Sequence, residues 1–268
     1  MIELKVVAFE QPTDHALAEI TRVLSETGYR VTAASDPMQF RNEVPAANCA
    51  VVLAYELASE LIPGRLAGAY VPPIVLISTL PIDKATRRLK DPRIVYKLLQ
   101  PAPPVRVFVA TVTQAVIEDI MRRLADAAAH DPGFPAPLRT AIRDVVVANK
   151  RRVKSLETST HVKIRTLEVH WASAFGSDSP KLADFCRGVE LLRIVSEVIG
   201  EPDLMWSRVL QARGISAVTL RRTSLAFAGN LPSKLDLGGK PAGIITRVCA
   251  RAIPTSRLLN SSLGGQES

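Results

Sequence analysis

The spacing of apolar residues changes once along this 268-residue chain, near residue 124. Before that point, apolar runs of strand length alternate with segments of helical periodicity, and after it the apolar residues recur only at helical spacing. Apolar runs separated by helices are typical of a parallel sheet buried on both faces. The sequence therefore predicts an α/β doubly wound parallel five-stranded sheet followed by an all-α domain. Strands are predicted at residues 1–9, 29–34, 49–54, 73–78 and 94–99, and helices at 14–28, 37–43 and 104–124.

Pro, Gly and Ala concentrate between Asp126 and Pro137, where helical periodicity breaks. This segment predicts the domain boundary. The predicted domains are residues 1–124 and 138–235, joined by a linker over 125–137, with helices in the second domain over 138–153, 162–175 and 180–198. The last part, 236–268, is rich in Gly and Ser and is predicted to be a largely flexible tail, with room for one short helix over 244–253.

Residues 204–227 predict two short helices joined by a tight turn. Apolar residues recur at helical spacing up to Arg213, and Gly214 suits the left-handed conformation that ends a helix. Ser216 is a natural N-cap for a second helix over 217–227. Two short helices around a glycine turn are typical of a helix-turn-helix, although an αα-corner in any helical bundle has the same pattern.

The basic residues are concentrated in the second part of the chain. The formal net charge of +8 is made up of −1 over residues 1–120 and +9 over residues 121–268. Aromatic residues are only 5% of the total, which disfavours a protein that binds single strands by base stacking. A basic helical domain beside a near-neutral one indicates a surface that faces a polyanion.

Cysteines and histidines form no disulfide or metal-binding pattern. Cys49, Cys186 and Cys249 are odd in number and far apart, which predicts buried, reduced thiols in a reducing compartment. The four histidines do not form a metal-ligand motif. Charged residues interrupt the first segment, and no apolar run is long enough to span a bilayer. We therefore expect a cytoplasmic protein with no membrane contact, no metal and no cofactor.

The order of elements in the first domain, the sequence GYRVTAA at Gly28–Ala34 and the Gln100-Pro101 step resemble a response-regulator receiver domain. The resemblance covers roughly residues 2–124 and implies a flavodoxin-like sheet. In that family, an acidic pair after the first strand and an Asp at the end of the third bind Mg²⁺, and this Asp accepts a phosphoryl group. A Ser or Thr after the fourth strand and a Lys after the fifth assist.

Four positions of this chain correspond to that phosphorylation site. Glu10 is the one acid at the acidic pair, Ala54 stands at the phosphoacceptor position and Gln100 at the lysine position, whereas Ser78 matches the family. One carboxylate is a poor Mg²⁺ site, and alanine offers no nucleophile. We therefore predict a pseudo-receiver that is insensitive to phosphodonors. Its apolar strands favour a homodimerisation or docking platform over the alternative, a strand-end crevice that binds a small molecule or a partner protein.

Five short sequences of the second domain occur in the order typical of AraC-type DNA-binding domains. They are RTL at Arg165–Leu167, AFG at Ala174–Gly176, the Ser179-Pro180 step, ELLR at Glu190–Arg193 and LPSKL at Leu231–Leu235. The second domain resembles that family over about residues 138–235. The resemblance implies two helix-turn-helix units joined by a long helix.

The resemblance also assigns residues to DNA recognition. It implies a first recognition helix that begins near Thr160 and presents Lys163, Arg165, Glu168 and Val169. It implies a second that presents Ala217, Val218, Thr219, Arg221 and Arg222 to base edges or phosphates. The basic residues ahead of the first unit would neutralise phosphates, which predicts binding that weakens steeply with salt. They are Lys150, Arg151, Arg152 and Lys154.

These features favour a phosphorylation-independent transcription regulator that binds double-stranded DNA as a homodimer. Two residues oppose it: Glu168 places an anion on the first recognition helix, and Leu210 stands where a helix-turn-helix usually has a small residue, which predicts an opened corner. The alternative is a non-enzymatic adaptor that binds protein partners through both domains. An enzyme is not expected, because no catalytic motif organises Ser78 with Asp14 and His15.

Overall fold

The structure is a computed structural model, and it describes residues 3–10, 16–53, 70–77, 95–148, 153–200, 206–237 and 239–254. The chain divides into two compact units. One contains residues 3–119 with 236–242, and the other contains residues 120–235 with the segment that begins at Gly243.

The first unit is built on a five-stranded sheet in which every strand pair is parallel, as the apolar runs predict. The strands are β1 (Lys5–Glu10), β2 (Arg30–Ala34), β3 (Cys49–Leu53), β4 (Ile74–Ile77) and β5 (Tyr96–Leu99). Their order across the sheet is β2-β1-β3-β4-β5. In this register Val7 of β1 lies between Thr32 of β2 and Ala50 of β3.

Two helices lie along the first part of the sheet, α1 (Ala16–Glu26) and α2 (Pro37–Glu43). Gly28 follows α1 with a φ of 90°, a backbone conformation that glycine adopts readily and that ends the helix. Asp36 caps α2, because its carboxylate accepts hydrogen bonds from the first amides of the helix. The bounds predicted for α2 are those observed.

The central strands are apolar at every position because they are buried at every position. All residues of β3 and β4 are buried. Where both faces of a parallel sheet are covered, no strand position faces water, so the alternation of apolar and polar residues disappears. Phe9 of β1 and Phe40 of α2 pack together in this core, with ring centroids 5.5 Å apart.

A helix of 26 residues, α3 (Val105–His130), follows the sheet and is longer than predicted. The sequence predicts a linker over residues 125–137, but residues 125–130 are helical and the next helix, α4 (Ala136–Val146), already begins at Ala136. Three consecutive alanines before His130 favour the helix, which stops only where Pro132 and Pro135 restrict the backbone. The non-helical connection is therefore confined to residues 131–135.

Residues of the second unit that the structure describes form helices joined by short connections, as predicted. After α4 come α5 (Val153–Thr160), α6 (Ile164–Phe175), α7 (Leu182–Gly200), α8 (Trp206–Arg213) and α9 (Ala217–Ala228). The long helix α7 contacts α4, α5, α8 and α9 and is buried along most of its length. No helix in the described ranges has the length and apolar composition needed to cross a membrane.

Part of the segment predicted to be a flexible tail is a packed helix, α10 (Pro241–Ala252). It corresponds to the short helix considered over residues 244–253. A Cβ atom built on Gly188 of α7 would lie 2.1 Å from the Cβ of Ala252, so the two helices touch at this glycine. The tail prediction is corrected for residues 241–252, and residues 255–268 lie outside those that the structure describes.

Candidate nucleic-acid interface

Two pairs of helices in the second unit have the same dimensions. In each pair, a helix of 8 residues is followed by three turn residues and a helix of 12 residues. One offset of 53 residues relates the pairs, since Thr160 corresponds to Arg213 and Ile164 to Ala217. The unit therefore contains a structural repeat, α5-α6 and α8-α9, with α7 between its two copies.

The packing of the two pairs follows the same offset. The fourth residue of each long helix is a buried leucine, Leu167 in α6 and Leu220 in α9. Each long helix ends at a glycine with a positive φ, which is 86° at Gly176 and 78° at Gly229. Because buried leucines and terminal glycines recur together, the repeat includes the inward face of the helices as well as their lengths.

The turn between α8 and α9 has the construction that the sequence predicts. Gly214 has a φ of 59°, and the N–H of Ile215 donates to the carbonyl of Leu210 at 2.9 Å, a pattern that closes the end of a helix. The hydroxyl of Ser216 accepts from the N–H of Thr219 at 3.1 Å and caps α9. Leu210 is only 7% exposed and its carbonyl takes part in the turn, and the expectation that its side chain opens the corner stays a prediction.

The turn between α5 and α6 lies further along the chain than predicted. Thr160 is the last residue of α5, where its hydroxyl donates to the carbonyl four residues earlier at 2.7 Å, so it does not begin the recognition helix. His161 has a φ of 55°, and Lys163 is the N-cap of α6 but makes no side-chain capping bond. Glu157 takes that role, because its carboxylate accepts from the N–H of Ile164 at 2.9 Å.

The outward side of α9 carries the residues predicted to recognise DNA. All five are exposed: Ala217, Val218, Thr219, Arg221 and Arg222. Among the described residues, neither guanidinium group of this pair forms an ion pair. Both arginines can therefore donate hydrogen bonds to a ligand without breaking an internal contact.

The outward side of α6 is more mixed in charge. Lys163, Arg165, Glu168 and Val169 are exposed, as predicted, and Val169 is 60% exposed. Glu168 offsets one of the two cations, whereas the outward side of α9 has two arginines and no acid. The outward sides of the two long helices therefore differ in charge, although the helices occupy corresponding places in the repeat.

Aromatic packing, which the sequence analysis did not single out, holds the inward side of α6. Trp171 lies 4.5 Å from Phe175 and 5.1 Å from Phe185 between ring centroids, and Phe134 packs against Phe175. The indole N–H of Trp171 donates to the carbonyl of Pro180 at 2.7 Å. A partner for the indole N–H is what burial of a tryptophan requires.

A buried ion pair, also missed from the sequence, joins the end of α8 to α7. Arg213 lies 3.0 Å from Glu190, and each of the two side chains is 10% exposed. Arg213 also donates to Glu197 at 2.8 Å, and this hydrogen bond raises the pKa of the guanidinium group. The two glutamates are seven residues apart and so share a face of α7, which is the signal that the sequence offered.

Helix α10 contacts the other end of α9. Arg247 donates to the carbonyl of Ala228 at 2.8 Å, and Arg251 donates to the carbonyl of Ala226 at 2.9 Å. The last carbonyls of a helix lack partners within it and carry partial negative charge, so cations are favoured there. Both ends of α9 are thus held, its start by Ser216 and its end by α10.

Lys150, Arg151 and Arg152 lie outside the described residues, so the structure does not place these three predicted phosphate contacts. The neighbouring Lys154 is exposed on α5. The other predicted DNA-binding residues that the structure describes are on α6 or α9, or at the N-cap of α6.

The degenerate phosphorylation site is described only in part. Glu10 ends β1 beside Leu53, the last residue of β3, and Gln100 follows β5 and is exposed; Ala54 and Ser78 lie outside the described residues. A cavity of about 810 Å³ lies at this edge of the sheet, where Ile77 and Phe108 contribute to a largely apolar lining. Within the described ranges, no three His, Cys, Asp or Glu side chains are grouped to hold a metal ion.

The three cysteines are buried, unpaired thiols, as predicted. Burial raises the pKa of Cys186 and of Cys249 to about 12, and it also raises that of Cys49. A thiol with such a pKa is protonated at neutral pH and is a poor nucleophile. These residues therefore contribute to packing in this structure.

Comparison with known proteins adds no family assignment. The chain matches no protein-family model. It also has no significant match among curated proteins.

Proposed function

We propose that this protein is a transcription regulator that binds double-stranded DNA through α6 and α9 and acts independently of phosphorylation. The observation that carries the proposal is the repeat of an 8-residue helix, a three-residue turn and a 12-residue helix on either side of α7. Helix-turn-helix proteins use the second helix of such a pair to read the major groove. A chain that builds the pair twice is suited to reading two segments of one duplex.

In this proposal α9 supplies most of the affinity. Arg221 and Arg222 are exposed, and a guanidinium group can donate two hydrogen bonds to a guanine edge or to a phosphate. Ala217, Val218 and Thr219 lie in the first turn of α9, the part of a recognition helix that contacts base edges. The side chain of Val218, 59% exposed, is suited to contact with the methyl group of thymine.

α6 then contributes sequence discrimination more than affinity. Arg165 can pair with guanine, and Val169 can contact a thymine methyl group. Glu168 faces the same side, and a carboxylate accepts a hydrogen bond from the amino group of cytosine, so an anion on this helix is compatible with base reading. Lys163, with Arg151 and Arg152, would contact phosphates and fix the position of α6.

The α/β unit serves in this proposal as a pseudo-receiver that forms a homodimer. Its strand order, β2-β1-β3-β4-β5, is that of flavodoxin-like doubly wound sheets, which supports the receiver resemblance. The alanine at position 54 and the glutamine at position 100 remove the nucleophile and the cation that phosphoryl transfer needs. A homodimer would place its helix pairs on a two-fold symmetric DNA site, and we expect the protein to act in the cytoplasm.

A second candidate function, a non-enzymatic adaptor for a protein partner, is favoured by one observation. Three large apolar side chains on α6 and α9 are between 45% and 60% exposed: Val169, Val218 and Leu225. Apolar side chains on an exposed helix face also suit a protein interface. The adaptor hypothesis predicts loss of a protein partner, and no change in DNA retention, when these residues are made polar.

The experiment that tests the proposal is selection of mixed genomic fragments by the full-length protein at 50 and 200 mM salt. We expect retention to fall steeply with salt and a subset of fragments to share two short segments about 10 base pairs apart. Arg165→Ala should relax the sequence of one segment, whereas Arg106→Ala, which removes an exposed arginine outside both helix pairs, should not. Absence of enrichment at both salt concentrations would reject the proposal and direct work to the adaptor hypothesis.

A further inference from the structure

A cavity of about 400 Å³ lies between α7 and the turn that joins α8 to α9. Its apolar wall is formed by Leu191 and Ile194 of α7, Ile215 of the turn and Leu220 of α9. The volume is within the range of small-molecule binding sites, and so is the combination of an apolar wall with a few polar groups.

The polar groups that line this cavity differ in how strongly they are already bonded to other protein groups. The Arg213 guanidinium is already engaged by two carboxylates, that of Glu190 at 3.0 Å in the wall of the cavity and that of Glu197. The hydroxyls of Ser216 and Thr219 are 2.8 Å apart and hydrogen-bond to each other. Arg187, whose contact with Asp184 is long, is therefore the cation of the lining that is most available to a ligand.

Arg187 is held only loosely within the protein. Its side chain is 56% exposed, and its contact with Asp184, one turn earlier on α7, is 3.5 Å long. An exposed ion pair of this kind contributes little free energy, so the guanidinium group can turn to a ligand at low cost. Thr223 of α9 adds a half-buried hydroxyl to the same cavity.

We propose that this cavity binds a small organic carboxylate. The carboxylate would accept hydrogen bonds from Arg187 and Thr223, and an apolar body would pack against Leu191, Ile194 and Leu220. A guanidinium group is the side chain best matched to a carboxylate, because its parallel N–H groups meet both oxygens. A backbone phosphate of DNA does not suit this cavity. Its charged oxygens need hydrogen-bond donors, and contact with the apolar wall would cost free energy because it removes water from them.

The occupant would contact α7 and α9 together. Because Ser216 and Thr219 line the cavity and also begin α9, the ligand lies against the start of the proposed recognition helix. Its effect on DNA affinity rests on the proposed function, whereas its binding does not. Binding is therefore measured first without DNA.

Calorimetric titration of the full-length protein with hexanoate, acetate, hexan-1-ol and hexylamine tests the proposal. We expect hexanoate to bind at one site, with affinity rising about fourfold for each methylene between acetate and hexanoate. Hexan-1-ol and hexylamine should bind at least tenfold more weakly than hexanoate, because they lack the anion. Absence of saturable binding at 10 mM hexanoate, or equal binding of the alcohol, would overturn it.

Two variants and one control locate the site. Arg187→Met should weaken hexanoate binding about tenfold or more, and Thr223→Val, which keeps the shape and removes the hydroxyl, about fivefold. Arg208→Met removes an exposed arginine of α8 that does not line the cavity, and it should leave the affinity unchanged. Equal loss in Arg187→Met and Arg208→Met would show unspecific attraction and would overturn the assignment. Melting temperatures within 2 °C of the parent protein establish that each variant is folded.

Discussion

At the scale of single residues, Arg213 and Glu190 decide how firmly α8 is attached to α7. The two side chains are each 10% exposed, so loss of one partner leaves a charge in a place that water barely reaches. Such an unpaired buried charge is destabilising, whereas replacement of both partners by apolar side chains is often tolerated. We therefore expect the pair to fix the position of α8 on α7 more than to add net stability.

We expect Arg213→Met to lower the free energy of unfolding by about 3 kcal/mol, since it strands the Glu190 carboxylate. The double variant Arg213→Met with Glu190→Leu should recover most of that loss. Urea denaturation measures both, with Arg208→Met as the control, for which a change within about 0.5 kcal/mol is expected at an exposed site. Equal stability of the single variant and the parent would contradict the ion-pair assignment.

The buried thiols predict a loss of stability at high pH. Their pKa values are raised in the folded protein, to about 12 for Cys249, whereas an unfolded thiol titrates near about 8.5. The unfolded chain therefore releases protons first, and the stabilising contribution, complete below about pH 8.5, is lost as the pH rises toward 12.

At pH 10 each such thiol should contribute about 2 kcal/mol less to the free energy of unfolding than it does below about pH 8.5. This follows from about 1.4 kcal/mol per pH unit over about 1.5 units. Urea denaturation at pH 8 and pH 10 measures the difference. Cys249→Ala should show a smaller decrease between the two pH values than the parent protein by about that amount. An identical decrease in the two proteins would show that Cys249 does not titrate in this way.

At the scale of elements, the contact of α10 with α7 is the least expected feature of the helical unit. Gly188 is needed there because any side chain would meet Ala252, although glycine is a weak helix former. Through Arg247 and Arg251, α10 also fixes the end of α9. The helix that the sequence placed in a flexible tail is therefore a support of the proposed recognition helix.

We expect Gly188→Ala to destabilise the protein by about 2 kcal/mol, because overpacking outweighs the gain in helix propensity. Adding Ala252→Gly should restore most of the loss by returning the space. Gly243→Ala is the matched control, since its Cβ would meet only the flexible end of Arg247, at 3.5 Å, and it should not destabilise. Thermal denaturation measures these changes in stability. Equal melting temperatures for Gly188→Ala and Gly243→Ala would contradict the close packing of α7 and α10.

Elements that local signals define were predictable from the sequence. Asp36 and Ser216 cap the starts of α2 and α9, and Gly214 ends the helix before α9. These capping roles depend on the residue type and its immediate neighbours, so the sequence can predict them. The parallel sheet was predictable because burial on both faces makes its strands continuously apolar. The outward residues of α9 followed from helical periodicity, whereas those of α6 were implied by the resemblance to AraC-type domains.

Features that depend on distant contacts were not predictable in the same way. The Arg213–Glu190 pair joins residues 23 positions apart. The spacing of Glu190 and Glu197 places both on one face of α7 but does not identify the cation that they bind. The end of α3 was misplaced because alanines were grouped with Pro and Gly as linker residues, although alanine is the best helix former. α10 was predicted only as a possible short helix in a flexible tail. The contact that holds it joins Ala252 to Gly188, 64 positions earlier, and local sequence does not reveal such a contact.

At the scale of the whole molecule, a near-neutral α/β unit is followed by a basic helical unit that contains two matched helix pairs. The division of charge, −1 against +9 on either side of residue 120, follows the division of structure. Such a protein would bind DNA with one unit and pair with a second copy through the other. The proposed function depends most on the binding of DNA by the outward side of α9.

The most direct test is the affinity of the full-length protein for an enriched duplex, compared between two double variants of equal charge. Arg221→Ala with Arg222→Ala should weaken binding at least about 30-fold and lower the salt dependence, because two cations leave the interface. Arg106→Ala with Arg143→Ala removes two exposed arginines from α3 and α4 and should change the affinity less than threefold. If both double variants bind like the parent protein, or weaken equally, the assignment of α9 as a DNA-reading helix is wrong.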